Sequence, residues 1–232
     1  MDLNEYRQRF SEGDSAPGWE AIDSRLAEVY PGVEPAHFAA VPHYALGGDD
    51  PVDGVSIYRC TTADGEWHYH YVTYGFSNLH YDEEAVGRDY SGFGFELTFR
   101  LKPFAEDTEN PTWVIGLLQN LARYVFKTGN GFDDHHWLDA KGPIRLDTAT
   151  DIVGLAFVTD PVLGVIESPH GEVKFLQAVG ITAAELRSIR EGAVEPEAVL
   201  EALRRRNPLL VTDLERPSSA PSPGSGKRRK RG

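Results

Sequence analysis

The residues best equipped for chemistry lie in one short run, Phe132-Asp133-Asp134-His135-His136-Trp137-Leu138-Asp139. Imidazole and carboxylate are zinc and iron ligands, so the run admits a metal-dependent hydrolase built on His135, His136 and Asp139. The spacing argues against it. Adjacent histidines on a strand point to opposite faces, and no HExxH pattern supplies a third ligand. The plainer reading is a polar loop that follows a helix, with no metal.

Other routes to catalysis find less support. There is no Gly-x-Ser-x-Gly elbow, and Cys60 sits in an apolar stretch where a buried, inert thiol is expected. Gly129-Asn130-Gly131 lacks the length and the Lys-Ser/Thr needed to cradle phosphates, so no cofactor is expected. Tyr69, Tyr71 and Tyr74, with His68 and His70, could form a recognition face, because rigid amphipathic rings give contact area at low entropic cost. The alternative is that at least half of them are core. Phe93, Phe95, Leu97 and Phe99 are assigned to the core, with Glu96 opposite them as a solvated or helix-covered carboxylate.

Composition narrows the partner. The 232 residues suffice for a substantial α/β domain, and four Trp, ten Tyr and eleven Phe either fill a core or line a gripping surface. A single cysteine excludes an internal disulfide and fits a reducing, cytoplasmic setting. No apolar run approaches the ~20 residues of a membrane span. Residues 1–215 carry 17 Lys and Arg against 36 Asp and Glu, a balance of −19, which repels nucleic acid and favours a basic protein segment. The basic run Lys227-Arg228-Arg229-Lys230-Arg231 offers at most weak contact with nucleic acid and reads as a solvated end.

The elements that must position these residues follow from periodicity. Apolar spacing predicts helices over 19–30, 111–127, 182–190 and 196–206, with Thr182 and Glu185 forming a capping box. Strands are predicted over 55–60, 67–74, 93–101, 152–159, 173–179 and 209–211. The expected layout is an N-terminal arm over 1–17, one domain over 18–214, and a disordered Pro, Ser and Gly-rich tail over 215–232.

Several ordered phrases carry a family resemblance. They are Gly18-Trp19-Glu20-Ala21-Ile22-Asp23, Trp67-His68-Tyr69-His70-Tyr71-Val72-Thr73-Tyr74-Gly75, Ser91-Gly92-Phe93-Gly94-Phe95-Glu96-Leu97-Thr98-Phe99-Arg100-Leu101, Pro111-Thr112-Trp113 running into Leu118-Gln119-Asn120-Leu121-Ala122-Arg123-Tyr124-Val125-Phe126, Phe175-Leu176-Gln177-Ala178-Val179-Gly180-Ile181, and Leu209-Leu210-Val211-Thr212-Asp213-Leu214. Over 18–214 the chain resembles the Suppressor of fused domain. The resemblance implies an α/β (α+β) fold with a central, mostly antiparallel sheet and flanking helices, and a non-catalytic role in holding protein partners. Eukaryotic members grip a short extended segment of Gli-type transcription factors in a cleft, and bacterial single-domain members resemble proposed immunity factors. By that likeness Tyr124 and the loop with Phe132, Asp134, His135, His136 and Asp139 lie close to the partner-binding cleft.

Overall fold

Phe95, Leu97, Phe99 and Leu101 alternate with Glu96, Thr98 and Arg100, and all seven are buried, so this strand needs cover on both faces. The computed structural model supplies it. It describes residues 1–218 except 12, 14, 43, 45, 46, 63, 64, 105–108 and 147. The tail over 219–232, with its basic end, lies outside the described residues.

Helices α1 (Leu3–Arg9) and α2 (Pro17–Val29) precede strands β1 (Ala36–Ala39), β2 (Gly54–Thr61), β3 (Trp67–Tyr74) and β4 (Tyr90–Leu101). Helix α3 (Trp113–Thr128) leads to β5 (Trp137–Asp139), β6 (Ile152–Thr159), β7 (Val165–Ser168) and β8 (Gly171–Thr182). Helices α4 (Ala183–Arg190) and α5 (Pro196–Arg204) follow. The sheet runs β1-β2-β3-β4-β8-β6-β5, with β7 paired to β8. The β4–β8 pairing is parallel and the others are antiparallel, which gives the mixed, mostly antiparallel architecture expected.

Alternation sorts the core into layers. Tyr69, Tyr71, Leu97, Phe99, Leu155, Phe157 and Leu176 face α3, which contributes Val114, Leu118, Leu121 and Val125. On the opposite face, Tyr58, Val72, Tyr74 and Phe175 meet Ile22 and Leu26 of α2. Further along that face Val158, Val179 and Ile181 meet Leu186 and Ile189 of α4 and Val199 and Leu200 of α5.

Four local expectations change. Phe93 is 36% exposed instead of core, its ring 5.0 Å from Phe126. The β4–β8 register slips between Tyr90 and Phe95, where Gly92 turns at φ 56°. A Cβ at Gly92 would stand 2.5 Å from the Phe76 carbonyl oxygen, so only glycine fits there. The expected strand over 209–211 is reduced to a single bridge, Leu101 to Thr212, because Leu210 takes φ 52° and interrupts the extended chain. The expected loop over 132–139 contains β5, paired to β6. The expected arm contains α1, closed at its start by a capping box of Asp2 and Glu5, with Tyr6 buried and its hydroxyl 2.8 Å from His170 Nε2.

Candidate functional site

Helix α3 buries one stripe and leaves Tyr124 on its outer face, 47% exposed. The helix ends where Gly129 adopts φ 73° and returns its N–H to the Val125 carbonyl at 2.8 Å. The chain then turns back so that Phe132 stacks on Tyr124 at 5.7 Å and 26°, and on buried Phe157 at 4.3 Å and 11°. Phe132 thereby ties an exposed ring to the core, and each such pair adds about 0.5–1.5 kcal/mol beyond its buried area.

The polar loop is pinned by charge and backbone. Lys174 donates to Asp133 at 2.7 Å and to Asp134 at 3.0 Å, and Asp134 also accepts from the N–H and hydroxyl of Thr159. The bond from Lys174 holds the Asp133 carboxyl below its ordinary value. Burial opposes ionisation of Asp134, yet the bonds from Lys174 and Thr159 outweigh it and its pKa also falls. Asp139 accepts from the Lys141 N–H and ammonium and from Arg190, and its pKa is lowered by the Lys141 bonds first. Asp133 and Asp134 share Lys174, and Asp139 is held by Lys141 and Arg190, so these carboxylates face cations. Among the described residues no group of three or more His, Cys, Asp or Glu side chains is placed to hold a metal ion.

The histidines hold the loop against the sheet through their main chain. The His135 N–H donates to the Phe157 carbonyl at 2.8 Å, and the Phe157 N–H donates to the His136 carbonyl at 2.9 Å. His135 adopts φ 65°, which turns its side chain outward, and both imidazoles are exposed. Beyond them β5 is the last strand of the sheet, bonded to β6 on one side with its other edge unpaired among the described residues. Trp137, 38% exposed, stands on that edge strand.

Tyr124, Phe132, Asp134, His135 and His136 thus lie together around Phe157 and Thr159 of β6, whereas Asp139 stands opposite Gly154 and is tied to Arg190 of α4. Tyr69, Tyr71 and Tyr74 are not among them. They are 0%, 0% and 1% exposed, and their hydroxyls donate to the carbonyls of Glu109 and Pro111 and to the Asp23 carboxylate. The expected recognition face on this strand is corrected to core, because β3 has α3 on one face and α2 on the other. Sequence reasoning missed half-buried Phe126, which extends the aromatic surface from Phe93 to Tyr44. Its signal was its position two residues beyond Tyr124, on the flank of the buried stripe.

A buried polar network lies under the α2 side of the sheet. Arg100 donates to Asp160, to the Tyr30 hydroxyl and to His68 Nε2, and His70 stands between Tyr30 and Asp160. Burial pushes the nearby Cys60 thiol above its ordinary pKa, as an inert thiol requires.

The chain is similar to known proteins in both sequence and fold. The family model for Suppressor of fused protein (SUFU) matches residues 48–217. The Suppressor of fused homologs of Homo sapiens and Mus musculus are each 37% identical over 211 residues. That match covers 86% of this chain and 43% of each relative, so the chain spans less than half of their length. A crystal structure of a Sufu-Fu complex contains a chain with TM-score 0.79 and 34% identity, covering 89% of this chain and 93% of that one. Drosophila Suppressor of Fused superposes with TM-score 0.80 and 34% identity over 90% of this chain and 52% of its own. A putative homolog from Neisseria gonorrhoeae shares the fold, with TM-score 0.54 and 13% identity over 87% of this chain and 96% of its own.

Proposed function

The chain belongs to the Suppressor of fused family, and on that premise we propose that it is a non-catalytic protein-binding module that captures an extended partner segment, in an immunity or regulatory role. The observation that carries this reading is the stacked pair Tyr124 and Phe132 in the segment that leads into β5, whose outer edge is unpaired among the described residues. An extended segment added to a strand edge gains main-chain hydrogen bonds, and flanking side chains choose its sequence. Tyr124 supplies an aromatic anchor, and Asp133, His135 and His136 form a polar rim around it. The Sufu protein of the solved complex binds another protein, Fu, which supports a binding role here. The −19 balance of residues 1–215 favours a basic segment.

The test begins with a photo-crosslinking residue at His135 to identify the partner, followed by titration of the purified partner segment. Tyr124→Ala is expected to weaken binding by ~2 kcal/mol or more, roughly thirtyfold. Equal affinity of the folded Tyr124→Ala protein overturns the assignment.

A further inference from the structure

Strand β1 closes the sheet at the end opposite β5, bonded to β2 on one side and unpaired on the other among the described residues. The Ala40 N–H donates to the Asp53 carbonyl at 2.8 Å. Bonded positions alternate along an antiparallel ladder, so Ala36, Phe38 and Ala40 turn their main chain toward β2. The N–H and C=O groups of His37 and Ala39 therefore face the open edge. Both residues are exposed, and Val33 at 42% and Val41 at 88% exposure flank them. Such an edge is a template for another strand.

Charge decides which strand. Residues 35–48 contain no Asp, Glu, Lys or Arg, although these types make up 25% of the chain. A charged partner finds nothing here to recognise, whereas β5 at the other edge carries Asp139 with Lys141 and Arg190. For two copies of a chain with net charge −13, repulsion is least where an uncharged edge meets its twin. The edge is also self-complementary. An antiparallel pair about a twofold axis at Phe38 sets His37 opposite Ala39 of the second copy and Ala39 opposite its His37, and each pair exchanges two main-chain bonds. Phe38, half-buried against the α3 layer, then meets its own twin across the axis, at the position of the ladder where side chains come closest. Pro35 and Pro42 lack the N–H that would carry the ladder further, so the pairing is confined to β1.

We infer that β1 is the interface of a weak homodimer in which two sheets join edge to edge into one. The interface lies across the sheet from β5, so it stands or falls independently of partner capture.

Sedimentation velocity of the full chain from about 1 μM to 1 mM, with amide hydrogen exchange at both ends of that range, tests this. A monomer–dimer equilibrium is expected with a Kd of roughly 10–100 μM, because a four-residue edge buries little area. The His37 and Ala39 amides should exchange more slowly in the dimer, and those of Trp137 and Asp139 should not change. Raising the salt should tighten the dimer by screening the repulsion of two acidic chains, where a dimer held by ion pairs loosens. Ala39→Pro removes an outward N–H, and Ala39→Glu adds a like charge at an exposed position; each should weaken dimerisation by roughly tenfold or more in a folded chain. If Ala39→Pro fails to fold, Ala39→Glu decides. A chain that stays monomeric at ~1 mM, a dimer that loosens in salt or protects the β5 amides in place of those of β1, or unchanged dimerisation in folded Ala39→Glu overturns the inference.

Discussion

Arg100 and Asp160 meet inside the protein, Nη2 of the arginine reaching Oδ1 at 3.0 Å and Oδ2 at 3.1 Å with both side chains buried. The carboxylate also accepts from the N–H groups of Val162 and Leu163 and from the Thr98 hydroxyl, so it is fully satisfied. Burial opposes its ionisation, but His70, Arg100 and these bonds hold its pKa well below the ordinary range. Asp160→Asn should therefore cost about 3–5 kcal/mol in urea unfolding, because it strands the buried guanidinium. Replacing both partners with leucine should cost much less than the sum of the single changes. A loss under about 1 kcal/mol for Asp160→Asn would show that the pair is not what holds this region.

The two histidines beside this pair set an acid-side pH dependence. Burial first, then Arg100, pushes His68 and His70 down from 6.5 to about 4. The folded chain holds them neutral while the unfolded chain takes up protons near 6.5, so their contribution is full above 6.5 and is lost as pH falls toward 4. Urea midpoints should drop across that window. His68→Gln keeps an acceptor for Arg100 and cannot titrate, so it should flatten part of the drop; an unchanged profile would count against the assignment.

Much of the scaffold was legible because its signals are local. The strands over 67–74 and 152–159 and the Thr182 and Glu185 cap match the structure residue for residue. The same capping-box spacing, with Asp2 in place of a threonine and Glu5 three residues on, announces α1 but carries no apolar period to draw attention to it. β5 is three residues long, too short for any period to register. Alternation on β3 separates its two faces, yet it does not say that a helix covers each, so it leaves Tyr69, Tyr71 and Tyr74 open to a recognition face or to the core. The Arg100–Asp160 pair spans 60 residues of sequence, and local pattern carries no trace of it.

The separation of core tyrosines from the surface one gives a paired prediction. Tyr124→Ala removes an exposed ring and should leave stability within about 1 kcal/mol while partner affinity falls. Changing His135 and His136 together to alanine should weaken binding by under ~1 kcal/mol, as expected of a rim. Tyr71→Ala empties a core position and should cost about 3–5 kcal/mol of stability. Unfolding of Tyr124→Ala under conditions where the wild type is folded would move Tyr124 into the core.

Arg216 makes a sharper test of where the folded unit stops than composition does. Its guanidinium donates to both oxygens of nearly buried Glu185, at 2.6 and 2.9 Å, and to the Gly180 carbonyl at 3.1 Å. Glu185 itself closes the cap of α4. We expect that deleting 219–232 changes stability by under about 0.5 kcal/mol, whereas Arg216→Ala costs about 1–3 kcal/mol by leaving Glu185 short of a partner. Thermal melts of the two variants decide it, and equal midpoints would show that the arginine contributes nothing.

Glu96 runs against the histidines in sign. Its buried carboxyl accepts from the N–H groups of Gly75 and Ser77 and from the hydroxyls of Ser77 and Thr73, which ties the β3–β4 turn together. Burial nevertheless raises its pKa from 4.5 to about 7, with those bonds only partly offsetting it. A raised carboxyl pKa means that the folded chain keeps a proton that the unfolded chain has released. The contribution of Glu96 is therefore full below 4.5 and is lost as pH rises through about 7. Glu96→Gln cannot titrate, and its amide nitrogen, unlike the hydroxyl oxygen of the protonated acid, cannot accept a bond from the turn, so it should cost about 1–3 kcal/mol at the acid end of this window. Subtracting the two stability profiles cancels the histidine effect common to both proteins. The gap between wild type and Glu96→Gln should narrow steadily from pH 4.5 to 7. A gap that stays constant or widens would mean that Glu96 is already ionised in the folded protein at the acid end, held so by the donors of the turn.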